Sequence, residues 1–200
     1  MSNDIQSGKA ISVMRFEKGH KAETRQKIIA VASEKFRREG VEAVGIAGLM
    51  AEAGLTHGGF YAHFDSKEDL VREAMEAAFD SSRLKYHDGL ETLIRSYLRP
   101  AHRDNPGRGC ALATLAPEIA RHKQSTRLVF SRRQEIFLDR IQSQLPQANQ
   151  NRETAIAILG LMIGTLQMSR TVTNNDLSEK ILESGVAAAL RLAGIDKKAT

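Results

Sequence analysis

The sequence predicts an all-α chain of about nine helices. Two observations carry that prediction. Apolar residues recur at three- and four-residue spacing, with no run alternating in the manner of a strand. Helix-stopping residues then divide these segments, at Gly40, Gly54, Pro100, Asn105-Pro106-Gly107, Pro146 and Asn174-Asn175.

Taken in order, residues 1–18 are polar, lack helical periodicity and read as a flexible basic arm. A first helix is expected over 21–39, where Ile28, Val31, Ala32 and Phe36 form an apolar stripe widened by Ile29. Gly40 suits its C-terminal cap. A short second helix runs from Ile46 to Ala53 and is closed by Gly54. Thr56 can cap a third that reaches about His63. Asp65 with Glu68 three residues on resembles a capping box for a fourth helix, which buries Val71, Ala74, Met75 and Ala78 and continues past Phe79. Further helices are expected over 88–99, 109–121, 125–145, 151–171 and 177–193, with Pro117 kinking or restarting the second of these.

Composition narrows the classes of function. The chain has 200 residues, 42% hydrophobic and 26% charged, the balance of a folded protein of one domain or two small ones. Its net charge is +5, a sign that favours polyanions. The excess sits early: Lys9, Arg15, Lys18, Lys21, Arg25, Lys27, Lys35, Arg37 and Arg38 oppose only Asp4, Glu17, Glu23 and Glu34. One cysteine permits no intramolecular disulfide, as in a reducing cytoplasm. The longest apolar stretch, Ala155 to Met168, is too short for a bilayer and is interrupted by Gly160, Gly164 and Thr165. A soluble cytoplasmic protein with no membrane partner is expected. The six histidines are scattered away from Cys, Asp and Glu clusters, so no metal site is read, and no phosphate-cradling loop or other cofactor motif is present.

The most informative segment is 54–67, from Gly54 through Thr56, His57, Gly58, Gly59, Phe60, Tyr61, His63 and Phe64 to Lys67. Two short helices joined by a tight turn can set the second in a DNA major groove. Thr56 and His57 stand at its leading end, where they can reach base edges. Gly58 and Gly59 remove side chains where backbone must come close, although each glycine costs about 1 kcal/mol relative to alanine. Tyr61, His63 and Lys67 suit phosphate oxygens. Phe60 and Phe64 face inward.

This block, running from Ala53 to Leu70, resembles the signature of TetR/AcrR-type transcriptional regulators, and Thr24 to Phe36 is similar to their first helix. The resemblance implies an N-terminal three-helix DNA-binding unit followed by a C-terminal helical ligand-binding and dimerisation domain. The expected divisions are 1–18 for the arm, 19–67 for the helix-turn-helix unit and 68–200 for effector binding and dimerisation. It further implies bases near Thr56, His57, Gly58 and Gly59, and phosphates near Gly45, Tyr61, His63, Lys67 and Arg25. The sequence departs from the family at Gly45, where a Thr or Ser cap is usual, at Met50, where a small residue is usual, and near Ala47 and Gly48, which are less polar.

Beyond the fourth helix, Ile156, Leu159, Gly160, Ile163, Gly164 and Leu166 make one stripe, and Ile181, Gly185, Ala188, Ala189 and Leu192 another. Either they fill one chain's core or, as the resemblance implies, they pack on a symmetry mate to form a homodimer. The middle helices should enclose an effector pocket, with Tyr86, Leu90, Leu93, Tyr97, Cys110, Leu115, Ile119, Phe130 and Phe137 as candidate lining. Cys110 opens a helix near Arg108. It is either a small buried residue or a redox-sensing thiolate with a depressed pKa. The run Arg121, His122, Lys123, Arg127, Arg132 and Arg133 reads as a solvated face. The expected function is a ligand-responsive DNA-binding regulator, a repressor released from double-stranded operator DNA by a small hydrophobic or reactive effector, and not an enzyme. The rivals are an enzyme using Cys110 with His102 or His122 as base, and a helical small-molecule binder that does not bind DNA.

Overall fold

The computed structural model describes the backbone of residues 4–80 and 89–195, and the side chains of 20–79 and 89–195. Within them the chain is all-α and contains no strand. Nine helices follow in order: α1 (Asp4–Glu39), α2 (Ile46–Glu52), α3 (Lys67–Asp80), α4 (Leu90–Tyr97), α5 (Pro100–Arg103), α6 (Ala111–Ile119), α7 (Gln124–Gln144), α8 (Arg152–Thr171) and α9 (Asn175–Ala193). Short 3₁₀ turns fall at His57–Ala62, Pro106–Arg108 and Gln147–Asn149.

Several details depart from expectation. α1 begins at Asp4 and takes in most of the segment expected to be an irregular arm. No proline interrupts residues 4–39, so helix once formed can propagate. The third helix is a six-residue 3₁₀ turn, His57–Ala62, not an α-helix. Its length and its two adjacent glycines leave too little propensity for α-helix. The start of α3 is capped by Ser66, whose Oγ accepts from the Asp69 amide at 3.1 Å, and not by Asp65 with Glu68. Glu68 turns away and accepts hydrogen bonds from His122 and Thr126.

α1, α2 and α3 close over one core. Ile28, Ile29, Ala32 and Phe36 of α1 meet Leu49 and Met50 of α2, Phe60 and Phe64 of the reading turn, and Leu70, Val71, Ala74 and Met75 of α3, all buried. Gly40 ends α1 with φ +87° and Gly54 ends α2 with φ +71°, conformations that L side chains rarely adopt. Met50, larger than the residue usual there, fits because its Cε lies beneath Gly59, 3.8 Å from where a Cβ would stand.

The second body is built around α8. Pro117 sits inside α6 and has no amide to give the Ala113 carbonyl four residues back. That carbonyl is instead satisfied by the Gln167 side chain of α8. α8 and α9 begin at asparagine caps, Asn151 accepting from Thr154 and Asn174 from Leu177, each at 2.8 Å. The two helices run antiparallel, with Ser178 donating to the Ser169 carbonyl near their joint. At Gly185 a Cβ would run into the Thr165 side chain. Gly185→Ala should therefore lower stability by about 1–3 kcal/mol despite alanine's better helix propensity, as in other overpacked cores. Thermal unfolding of the variant checks this, and Thr165→Ala in the same chain should recover much of the loss.

Candidate nucleic-acid interface

The segment from Thr56 to Lys67 projects from the three-helix core as its buried aromatics dictate. Phe60 and Phe64 stack with centroids 5.5 Å apart and are fully buried. The residues between and before them point outward. Thr56, His57 and Gly58 are exposed, and Tyr61 keeps 63% of its surface. The His57 and Tyr61 rings meet edge-to-face at 6.5 Å, so the two polar aromatics share one side of the turn. His63 and Lys67 are half-buried at its far end. Burial, with Lys21 and Arg25 nearby, holds the His63 imidazole below its usual range, which favours the neutral ring.

The glycines here are not required by the fold. Gly45, Gly48 and Gly58 have negative φ and nothing within 4 Å of where a Cβ would stand. At Gly59 the nearest atoms, Thr56 Oγ1 and Met50 Cε, are at ordinary contact distances. The chain's own packing would thus tolerate a methyl group at each position.

Among the described residues, four of the nine early cations have partners within the molecule. Arg25, expected at phosphate, pairs through both guanidinium nitrogens with Glu73, donates to the His63 carbonyl at 3.3 Å and lies over the Phe64 ring at 4.6 Å. It thereby ties α1 to α3 and to the end of the reading turn. Arg37 is buried and donates to the carbonyls of Ala78 and Gly109, and desolvation pulls its pKa down. Lys35 and Arg38 pair with Glu39 and Glu52. Lys21 and Lys27 remain exposed.

In the second body the candidate pocket residues Leu90, Leu93, Tyr97, Cys110, Leu115, Ile119, Phe130 and Phe137 are all buried in the hydrophobic core, and Tyr86 lies outside the described residues. None of them lines the groove of about 450 Å³ that runs between α4, α5 and α9 past Arg95, Leu98, Arg99, Glu183, Val186 and Leu190. Hydrophobic spacing identifies core and groove wall alike, so the sequence could not separate them.

Cys110 does precede α6, but its thiol is buried, and desolvation raises its pKa against the pull of Tyr97 and the amides of Leu112 and Ala113. Of the two readings of Cys110, this burial is that of the small buried residue and opposes the depressed thiol. Arg108 is exposed and faces Glu34, while the cation that acts on the thiol is the half-buried Arg170. His102 Nε2 accepts from the Cys110 backbone amide at 3.0 Å, so Nδ1 carries the proton and donates to the Tyr97 carbonyl at 2.7 Å. Both nitrogens are committed to backbone. His122 instead contacts Glu68 on α3.

The residues expected at a dimer interface divide in two. Leu159, Gly185 and Ala189 are buried within the α8–α9 packing of one chain. Ile156, Gly160, Gly164 and Leu192 are exposed, and Ile163, Ile181 and Ala188 are half-buried. Met168 and Leu177, each about half exposed or more, extend this outer row and were missed. Continuing the four-residue step from Gly160 and Gly164 reaches Met168. Among the described residues no helix is long and apolar enough to cross a membrane, and no three His, Cys, Asp or Glu side chains are grouped to hold a metal.

The geometry is that of a helix-turn-helix unit joined to a helical second body. Residues 28–74 match the family model described as bacterial regulatory proteins, tetR family. An uncharacterised HTH-type transcriptional regulator of Bacillus subtilis (strain 168), YfiR, is 30% identical over 86 residues, 40% of this chain and 42% of that protein. The chain thus spans less than half the length of this curated relative. The reduced form of NemR from E. coli superposes with a TM-score of 0.68 at 17% identity, covering 84% of this chain and 96% of NemR. AibR in complex with isovaleryl coenzyme A and operator DNA gives 0.59 at 16%, covering 82% and 97%. Residues 28–74 therefore belong to the TetR family of bacterial regulatory proteins, and the chain as a whole has the fold of a TetR/AcrR-family regulator.

One prediction concerns His102. Burial lowers its pKa from 6.5 to about 4. The folded state resists protonation that the unfolded chain accepts, so stability is constant above about pH 6.5 and is lost as pH falls toward 4, by about 3 kcal/mol. In chemical denaturation across that range, His102→Gln should show a shallower loss than the wild type.

Proposed function

We propose that the chain is a homodimeric transcriptional regulator that reads double-stranded operator DNA with the turn Thr56–Lys67 and is released by a small hydrophobic effector, which makes it a repressor. One observation carries the DNA assignment. Thr56, His57 and Tyr61 are exposed beside glycines whose missing side chains the fold does not need. A surface that presses against them from outside supplies the reason, and a nucleic-acid backbone is such a surface. Thr56 and His57 then reach base edges, with Gly58 and Gly59 against the groove, while Tyr61, His63, Lys67 and the Gly45 end of α2 meet phosphates.

The same reasoning supports the dimer. Gly160 and Gly164 lie in mid-helix with open space beside them, flanked by exposed Ile156 and Met168. Each costs about 1 kcal/mol in helix propensity. Close approach of a second α8 and α9 accounts for them, and two-fold symmetry then presents two reading turns to successive grooves. The AibR complex, which holds both a coenzyme A thioester and operator DNA, supports an effector role for the second body. Near-complete release requires the effector to prefer the unbound state by about 10⁴-fold, roughly 5.5 kcal/mol. The enzymatic alternative finds little support, because His102 spends both ring nitrogens on backbone groups and a buried, raised thiol is a poor nucleophile.

Selection of duplexes from a randomised library by the purified protein tests the reading; failure to enrich any sequence at low salt sinks it. With a selected duplex, Lys67→Ala should weaken binding on all sequences and reduce the salt slope by about one. His57→Ala should relax base preference and leave that slope in place. Gly164→Leu should fold at least as well as the wild type yet weaken dimerisation tenfold or more in sedimentation equilibrium, and an unchanged dimer constant would move the interface elsewhere.

A further inference from the structure

The end of α6 is one of the places where the DNA-reading unit is held to the second body, beside the Arg37 bond to the Gly109 carbonyl and the Arg133–Glu76 pair between α7 and α3. Glu118 Oε2 accepts from the backbone amides of Val41 and Glu42 at 2.7 and 3.1 Å. These are the first residues of the turn between α1 and α2. Gly40, just before them, has φ +87°, and a Cβ there would stand 2.5 Å from Glu118 Oε1, so the turn and the carboxylate are fitted to each other. Four residues beyond Glu118, His122 lies between two further carboxylates of the reading unit. Its Nδ1 is 3.0 Å from Glu68 in the first turn of α3, and its Nε2 is 3.7 Å from Glu42. Thr126 donates a second hydrogen bond to Glu68. Glu42 is thus held through its amide, with its exposed carboxylate near the His122 ring.

The two places gripped flank the DNA-reading turn on either side. The α1–α2 turn leads directly into Gly45 and α2, and α2 supports the reading turn through Met50 beneath Gly59. Glu68 adjoins Lys67. On its other side α6 rests on α8 through Gln167, which bonds the Ala113 carbonyl, while Arg170 of α8 holds the neighbouring α5 by donating to the carbonyls of His102 and Arg103 at 3.0 Å. We infer that Glu118 and His122 are positioning residues for DNA reading, which set the angle of the reading unit relative to α8 without touching DNA. The inference rests on the DNA-reading function proposed above.

The test uses the full chain carrying Glu118→Ala, with Glu118→Gln as the milder change that keeps one carbonyl acceptor and preserves a folded sample if the alanine variant does not. Amide hydrogen exchange at Val41 and Glu42 reads the grip itself. Affinity for a duplex selected by the wild type reads its consequence. The expected result is exchange at both amides faster by tenfold or more in Glu118→Ala, a Kd weakened by tenfold or more, and an unchanged salt slope, because Tyr61, His63 and Lys67 are intact. Glu118→Gln should fall between, and His122→Gln should weaken binding in the same direction. Unchanged exchange overturns the inference, as does faster exchange with affinity within twofold of the wild type. Failure of the wild type to select any duplex is a different result: it removes the DNA-reading function and the inference with it.

Discussion

A six-residue 3₁₀ turn cannot hold its own shape in water, and the rest of the molecule is arranged around that constraint. His57–Ala62 contains too few backbone hydrogen bonds and too much glycine to persist alone. Its geometry is borrowed from Phe60 and Phe64, which anchor it in the core of α1, α2 and α3, and from Arg25, which fastens the His63 carbonyl and Glu73 to α1. The exposed faces of Thr56, His57 and Tyr61 are therefore positioned by residues on the opposite side of the turn. A reading surface of this kind is rigid only as long as its support is.

That support explains where the basic charge goes. A count of Lys and Arg up to Arg38 suggests a strongly positive leading segment, but four of its nine cations are occupied by partners within the fold. Arg25, Lys35 and Arg38 face carboxylates, and Arg37 is buried against carbonyls. Charge counts register the residue type and not its partner, and Glu52 and Glu73 lie far enough along the chain that no local pattern links them to α1.

Where short-range patterns govern structure, the sequence was readable. The stripes of α1 and α3, the inward Phe60 and Phe64, the glycine stops at Gly40 and Gly54, and the extents of α7, α8 and α9 all follow from spacing and caps. The misses come from tertiary context. Asp65 and Ser66 are both good caps, and the path of the chain chose Ser66 while drawing Glu68 to His122 and Thr126. Leu159, Gly185 and Ala189 carry the same small or aliphatic signature as Gly160 and Ile156, yet a rotation about the helix axis separates inward from outward. Cys110 occupies the helix start that its spacing suggests, but depth of burial, which no spacing reports, decides between its two readings.

The proline within α6 has a consequence for the order in which the chain can assemble. Residue 117 leaves the Ala113 carbonyl open, and Gln167, 54 residues later, closes it. During synthesis α1 through α3 can collapse on their own core long before that side chain is available, whereas α6 cannot complete its bonding until α8 has emerged and docked. The core of the reading unit can thus close before the bonding of α6 is complete. A proline at position 117 therefore makes one helix of the second body depend, for a backbone bond, on a side chain that the ribosome adds 54 residues after the carbonyl it closes.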